Sequence, residues 1–525
     1  MASTTPWLAR YGKTTYAIGN VALLLCASAG AVLHGIPIGL GVYMFLLGAL
    51  CSVALLVLEN LNGRYALLSI FMGLYFVFFG VLDLQHLLLG SDTPQLPRDG
   101  FLTRAECAVL LGAVLVLGGY FAGARVGVRE ERKTALVEWP TGIMLFVGLA
   151  VYLLGSAAMI YFQVFVAPEK TAYSAGHGLE AMGPVLTFIV MLGHMMQPLG
   201  ILILAYGYAK RRGSFWNTLI LVIVAAQLVL GFIEDVKLQA IMGGALVIMC
   251  RTLVDNRLPK GWLIGGVVFA IFAFPIFQAY RTEVTGERGL NRAQAFYQLD
   301  KVLEIVLASR DKVSEGRPGE RAQTFLERAS GKDSLEILFQ HVGSDVDFLH
   351  GETLVAVPMA FVPRLLVPDK EDVSAGLLFS QLILKGDNNT YISISNLGEL
   401  YWNFGWTGVL LGMPMIGFLL GFMGARFTLE NGTSLTRVLL LLVTAQTLCM
   451  GFGGVIPIAY IVWLRSMAAI GLMHLVFARR TVMVAPTAVD GVKAPDVSSF
   501  PAPIGAPGGG SRLALPGPRF PNIMR

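Results

Sequence analysis

Between Phe361 and Gly405 the chain gathers residue types that do chemistry beside a long apolar run. Arg364 and Lys370 sit in Pro363-Arg364-Leu365-Leu366-Val367-Pro368-Asp369-Lys370. About thirty residues on, Asn396, Glu399, Tyr401 and Asn403 sit in Ser395-Asn396-Leu397-Gly398-Glu399-Leu400-Tyr401-Trp402-Asn403-Phe404-Gly405. Guanidinium and ammonium groups bind anionic oxygens, Arg as a planar fork and Lys as a compact charge. A carboxylate takes a proton from a hydroxyl, and amides and phenols hold hydroxyls in place.

The elements that must position these groups are membrane helices. The chain has 525 residues, 55% of them hydrophobic and only 14% charged, and its mean hydropathy is +0.67. That is too apolar for a soluble protein of this length, and the apolar residues come in blocks. Blocks of roughly 20 residues cross a bilayer as helices. Twelve runs qualify: 15–35, 37–58, 65–90, 105–123, 141–166, 183–208, 216–234, 238–254, 262–280, 406–425, 435–453 and 455–478.

Basic residues orient these spans. One set of alternate connections carries Arg10 and Lys13, Arg64, Arg125 to Lys133, Lys210 to Arg212, Arg251 to Lys260, Arg426 with Arg437, and Arg479 with Arg480. The opposite set carries only Arg98, Arg104, Lys170 and Lys237. The bias predicts that both termini are cytoplasmic and that the segment from Arg281 to Gly405 faces outward. The chain then divides into nine spans over 1–280, one large extracytoplasmic loop over 281–405 carrying the active site, three spans over 406–480, and a disordered cytoplasmic tail over 481–525, rich in Pro, Gly, Ser and Ala. Within the loop, Phe296, Leu299, Leu303 and Val306 recur at helical spacing, and a short helix is expected over Ser334 to Gln340. The first run has no small-residue cleavage site and reads as a retained span.

The net charge of +5 reflects topology, and no nucleic-acid partner follows from it. The five cysteines lie in apolar runs without CxxC spacing and read as small core residues. No P-loop is present, which argues against an ATP-driven pump.

The order of elements from about Ala279 to Gly424 resembles the oligosaccharide repeat-unit polymerases of bacterial surface polysaccharides, the Wzy class. The resemblance rests on Tyr280-Arg281 at the end of a span, Gly351 ahead of an apolar stretch, the Pro363 to Lys370 element, and the Gly398 to Gly405 run entering the next span. Val367 and Glu371 stand where the family often has Trp and Pro. The likeness implies an all-α, polytopic fold similar to the GT-C-like membrane glycosyltransferases that use polyprenyl-linked donors. It also implies a glycosyltransferase of the bacterial inner membrane that needs no nucleotide sugar, cofactor or metal. Such an enzyme moves a growing glycan from undecaprenyl diphosphate to a fresh lipid-linked repeat unit, beside a chain-length regulator and export machinery.

On that resemblance Arg281, Arg364 and Lys370 neutralise the departing diphosphate. Glu399 is the first candidate for the general base, with Glu283 the second. Asn396, Tyr401 and Asn403 hold sugar hydroxyls, and Arg288 and Arg292 either extend the phosphate site or form a solvated face. Trp402 and Trp406 read as an aromatic belt. Arg465, inside the last span, is either a lipid-diphosphate contact or an ion-pair partner of Asp83 or Glu234. His86 and His194 read as satisfied core histidines. A ligase using the same lipid-linked donor, or a polysaccharide or lipid transporter, is the alternative.

Overall fold

The computed structural model describes residues 18–26, 37–58, 61–89, 101–128, 137–162, 184–211, 213–233, 237–266, 331–359, 375–385, 392–429, 433–454 and 456–480. The expected helix around Phe296 and the tail over 481–525 lie outside them.

The long helices are α1 (Ile38–Val57), α2 (Ala66–Leu89), α3 (Arg104–Gly127), α4 (Thr141–Tyr161), α5 (Pro184–Arg211), α6 (Ser214–Ile233) and α7 (Lys237–Asp255). After them come α8 (Lys332–His341), α9 (Ser395–Arg426), α10 (Leu435–Thr444) and α11 (Ile456–Phe477). Eight helical stretches among the described residues are long and apolar enough to cross a membrane. The chain is an all-α, multi-pass membrane protein. The only strands described are two-residue segments, Val137–Glu138 paired antiparallel with Arg479–Arg480. The runs predicted at 15–35 and 262–280 fall largely outside the described residues.

Helix boundaries follow local chemistry. Thr103 and Glu106 form a reciprocal capping box at the start of α3: the Glu106 amide donates to Thr103 Oγ1 at 3.2 Å, and the Thr103 amide donates to Glu106 Oε2 at 3.0 Å. After α10 the chain passes through a π-helical turn, Ala445–Cys449, and a 3-10 turn, Met450–Gly453, before α11. Large apolar side chains such as Phe146, Leu411, Met415 and Leu475 point outward, as a lipid-facing surface requires.

Helix pairs in lipid gain little from the hydrophobic effect and instead associate by close packing. The α3–α9 pair shows this most clearly. A Cβ placed on Gly123 would lie 2.0 Å from the Phe418 carbonyl oxygen, and one on Gly421 would lie 2.1 Å from that of Tyr120. The two backbones touch, so these positions admit only glycine. Two buried tyrosines spend their hydroxyls on main-chain carbonyls, Tyr43 donating to Phe79 O at 2.9 Å and Tyr75 to Val109 O at 2.8 Å.

Candidate functional site

The polar run that the sequence places in a loop is helical, and α9 begins eleven residues ahead of the predicted span. At Gly405 the helix breaks, with φ 61° and ψ −148°, a conformation essentially confined to glycine. The break folds α9 into two arms. Leu397 and Met413 both reach the space above Gly112, 3.0 and 3.2 Å from the point where its Cβ would stand. In a straight helix those two residues would be about 24 Å apart. The Leu400 carbonyl oxygen likewise abuts Gly408 across the fold. The arm from Ser395 therefore turns back alongside the start of the second arm, with Ser395 to Asn403 buried among the other helices.

Burial of this arm decides what its polar side chains can do. Asn403, 0% exposed, is fully occupied: its Oδ1 accepts from Gly351 N at 3.0 Å, and its Nδ2 donates at 2.8 Å both to Thr353 Oγ1 and to Glu399 O. It ties the turn at Gly351, where φ is 92°, to the arm. Trp402 is buried and donates from Nε1 to Asp347 O at 3.2 Å, while the Leu349 amide donates to Trp402 O at 3.0 Å. The aromatic-belt expectation therefore fails for Trp402, because its ring sits inside the protein. Trp406 is part exposed. The Tyr401 ring stacks at 4.0 Å on Phe339 of α8.

Glu399 is 0% exposed. Its Oε2 accepts from the Ile456 amide at 2.6 Å, placing a carboxylate at the positive N-terminal end of α11. The Thr353 hydroxyl lies beside the same carboxyl. Glu399 Oε1 and Asn396 Oδ1, one turn apart on the arm, are buried and have no hydrogen-bond partner among the described residues. Together they present two acceptors to any group that donates hydrogen bonds, such as a hydroxyl.

Arg281, Glu283, Arg288, Arg292, Arg364 and Lys370 lie outside the described residues. Arg465 lies on α11 nine residues beyond Ile456, about 13 Å along the axis, and is partly buried. Asp83, one partner considered for it, is engaged elsewhere. The spacing Asp345-Val346-Asp347 serves a turn: Asp345 bonds His341 Nδ1 at 2.7 Å and also the Ser344 hydroxyl, while the Asp347 carbonyl receives Trp402. The Ser344 hydroxyl and then His341 hold the Asp345 carboxyl below its usual range. Among the described residues no group of three or more His, Cys, Asp or Glu is placed to hold a metal ion.

A charged cluster unforeseen in the sequence stands beside the arm. Lys332 Nζ lies 2.8 Å from Asp83 Oδ2 and 3.1 Å from Glu106 Oε1, and 5.1 Å from the Tyr43 ring centroid. Ionisable residues inside apolar runs were the available signal. Their convergence depends on packing between positions 226 and 249 residues apart.

No protein-family model, curated protein or solved structure matches the chain.

Proposed function

We propose that this protein polymerises undecaprenyl-diphosphate-linked oligosaccharide repeat units by glycosyl transfer at the outer face of a bacterial inner membrane. The observation carrying this reading is that the Gly398 to Asn403 run forms a buried helical arm on which Glu399 Oε1 has no hydrogen-bond partner among the described residues. In this reading the acceptor hydroxyl donates to Glu399 Oε1 while Asn396 Oδ1 orients a neighbouring hydroxyl. As the hydroxyl oxygen bonds to the donor sugar's anomeric carbon, the proton passes to Glu399. The bond from that carbon to the diphosphate breaks, and undecaprenyl diphosphate departs with the electron pair. Arg281, Arg364 and Lys370 neutralise the developing phosphate charge. The twelve-span, GT-C-like topology with cytoplasmic termini belongs to the same proposal, as do a chain-length regulator and export machinery as partners.

A transporter is the second reading. It is favoured by the interrupted helices at Gly405 and between α10 and α11, since transporters bind substrates at discontinuous helices. A ligase would share the diphosphate cations.

The test is an assay of the purified protein in lipid with a synthetic undecaprenyl-diphosphate oligosaccharide, beside Arg364→Ala and Glu399→Gln. Polymerisation yields a ladder of lengthened glycans that both substitutions abolish. Transfer of a finished glycan to another acceptor without a ladder indicates the ligase. Movement of unextended lipid oligosaccharide across the bilayer indicates the transporter.

A further inference from the structure

We infer that Lys332 is an inserted ionic anchor: paired with Asp83 and Glu106, it sets the register of α8 against the arm that carries Glu399. Three observations lead there. The first is where α8 begins. The Gly331 amide donates at 3.0 Å to the carbonyl of Phe78, which lies midway along the 24-residue α2. A Cβ on Gly331 would stand 1.8 Å from the Phe78 ring. The chain therefore enters α8 deep against the bundle, where any larger residue at 331 would have to displace the Phe78 ring.

The second observation is the charge. Lys332, the first residue of α8, is 7% exposed, and its ammonium group is held by carboxylates from two different long helices. Glu106 is itself fixed by the Thr103 capping box, so one acceptor of the pair is already oriented before α8 arrives. A lysine so deeply buried is strongly destabilising without its partners. The triad therefore favours a placement of α8 that keeps the ammonium within reach of both carboxylates.

The third observation is what that placement fixes. Leu335 and Leu338 of α8 lie against Gly398, each 3.2 Å from the position of its Cβ, and Phe339 stacks on Tyr401. These contacts all fall on the arm, within three residues of Glu399. Lys332 is held by Asp83 and Glu106 and acts on the arm through α8, as a positioning residue. The inference concerns the docking of α8 and stands whether or not the chain transfers sugars.

Docking is read by a cross-link. In the full chain in membrane vesicles, with the five native cysteines replaced by alanine, Leu338→Cys and Gly398→Cys form a disulfide on mild oxidation. Adding Lys332→Met leaves two carboxylates facing an apolar side chain, and the cross-link yield falls at least several-fold. An unchanged yield in Lys332→Met overturns the anchor. If that variant does not accumulate in the membrane, Glu106→Gln alone, which leaves Lys332 its Asp83 partner, serves instead. A several-fold lower yield supports the anchor and a parental yield overturns it. None of these readouts uses glycosyl transfer, so the polymerase reading can fail while the anchor stands, and the reverse.

Discussion

Glu399 Oε2 accepts a 2.6 Å hydrogen bond from the amide of Ile456, so the residue proposed as base also caps α11. Of the two carboxyl oxygens, Oε2 is spent on the fold, and Oε1 has no hydrogen-bond partner among the described residues, with the Thr353 hydroxyl beside the carboxyl. Glu399→Gln keeps an oxygen for the Ile456 amide and loses the proton acceptor. We expect it to fold normally while glycan extension drops about a hundredfold or more. Glu399→Ala removes both and costs about 1.5 to 3 kcal/mol for the lost charged hydrogen bond. Thermal unfolding in lipid nanodiscs, run beside the ladder assay, separates the two effects. Equal losses of stability in both variants would contradict the division of labour.

Asn403→Leu tests whether that side chain holds substrate or structure. Its three hydrogen bonds all go to the protein, and the substitution strands the Gly351 amide. A loss of roughly 1 to 3 kcal/mol is expected, with faster proteolysis near Gly351. A variant of parental stability that has lost only substrate affinity would return Asn403 to the substrate-binding role the sequence suggested.

At Gly405 the backbone has φ 61° and ψ −148°. Gly405→Ala should cost about 1 to 3 kcal/mol. At Gly421, where a Cβ would stand 2.1 Å from a carbonyl oxygen, Gly421→Val forces α3 and α9 apart and should cost at least as much. Gly118→Ala, where an added Cβ meets nothing within 4 Å, is the neutral control. If all three unfold at one temperature, the close packing has no such role.

The pH dependence of α8 docking follows from Lys332. Burial alone would lower its pKa, but the Asp83 and Glu106 carboxylates outweigh that and raise it above the ordinary lysine value. A raised folded-state pKa contributes stability that is fully present below the unfolded value, and is lost as pH rises through the folded one. Relative to an exposed cysteine pair oxidised at the same pH, the Leu338–Gly398 cross-link should therefore hold level from about pH 7 to about pH 10 and fail only above the usual lysine range. A loss of docking between neutral and mildly alkaline pH would contradict this.

Much of the fold was legible from the residues. Eight of the twelve predicted runs coincide with described helical stretches long and apolar enough to cross a membrane, because apolar length is a local property read directly from the residues. The short helix expected at Ser334 to Gln340 is present as Lys332–His341 for the same reason of local periodicity. The run around Glu399 could be singled out because its residue types are unusual beside a membrane span.

What that run does in space was decided by tertiary structure alone. Nothing local to Ser395–Gly405 says that a glycine will fold it back against α3, that Asn403 will be consumed by Gly351 and Thr353, or that Trp402 will be interior. The Lys332–Asp83–Glu106 triad is equally invisible in one dimension, since its members lie on three separate elements. Hydropathy measures how each residue partitions between water and lipid. Which buried polar groups face one another depends on helix packing, and that is set by backbone approach at glycines such as Gly331 and Gly421, distributed along the whole chain.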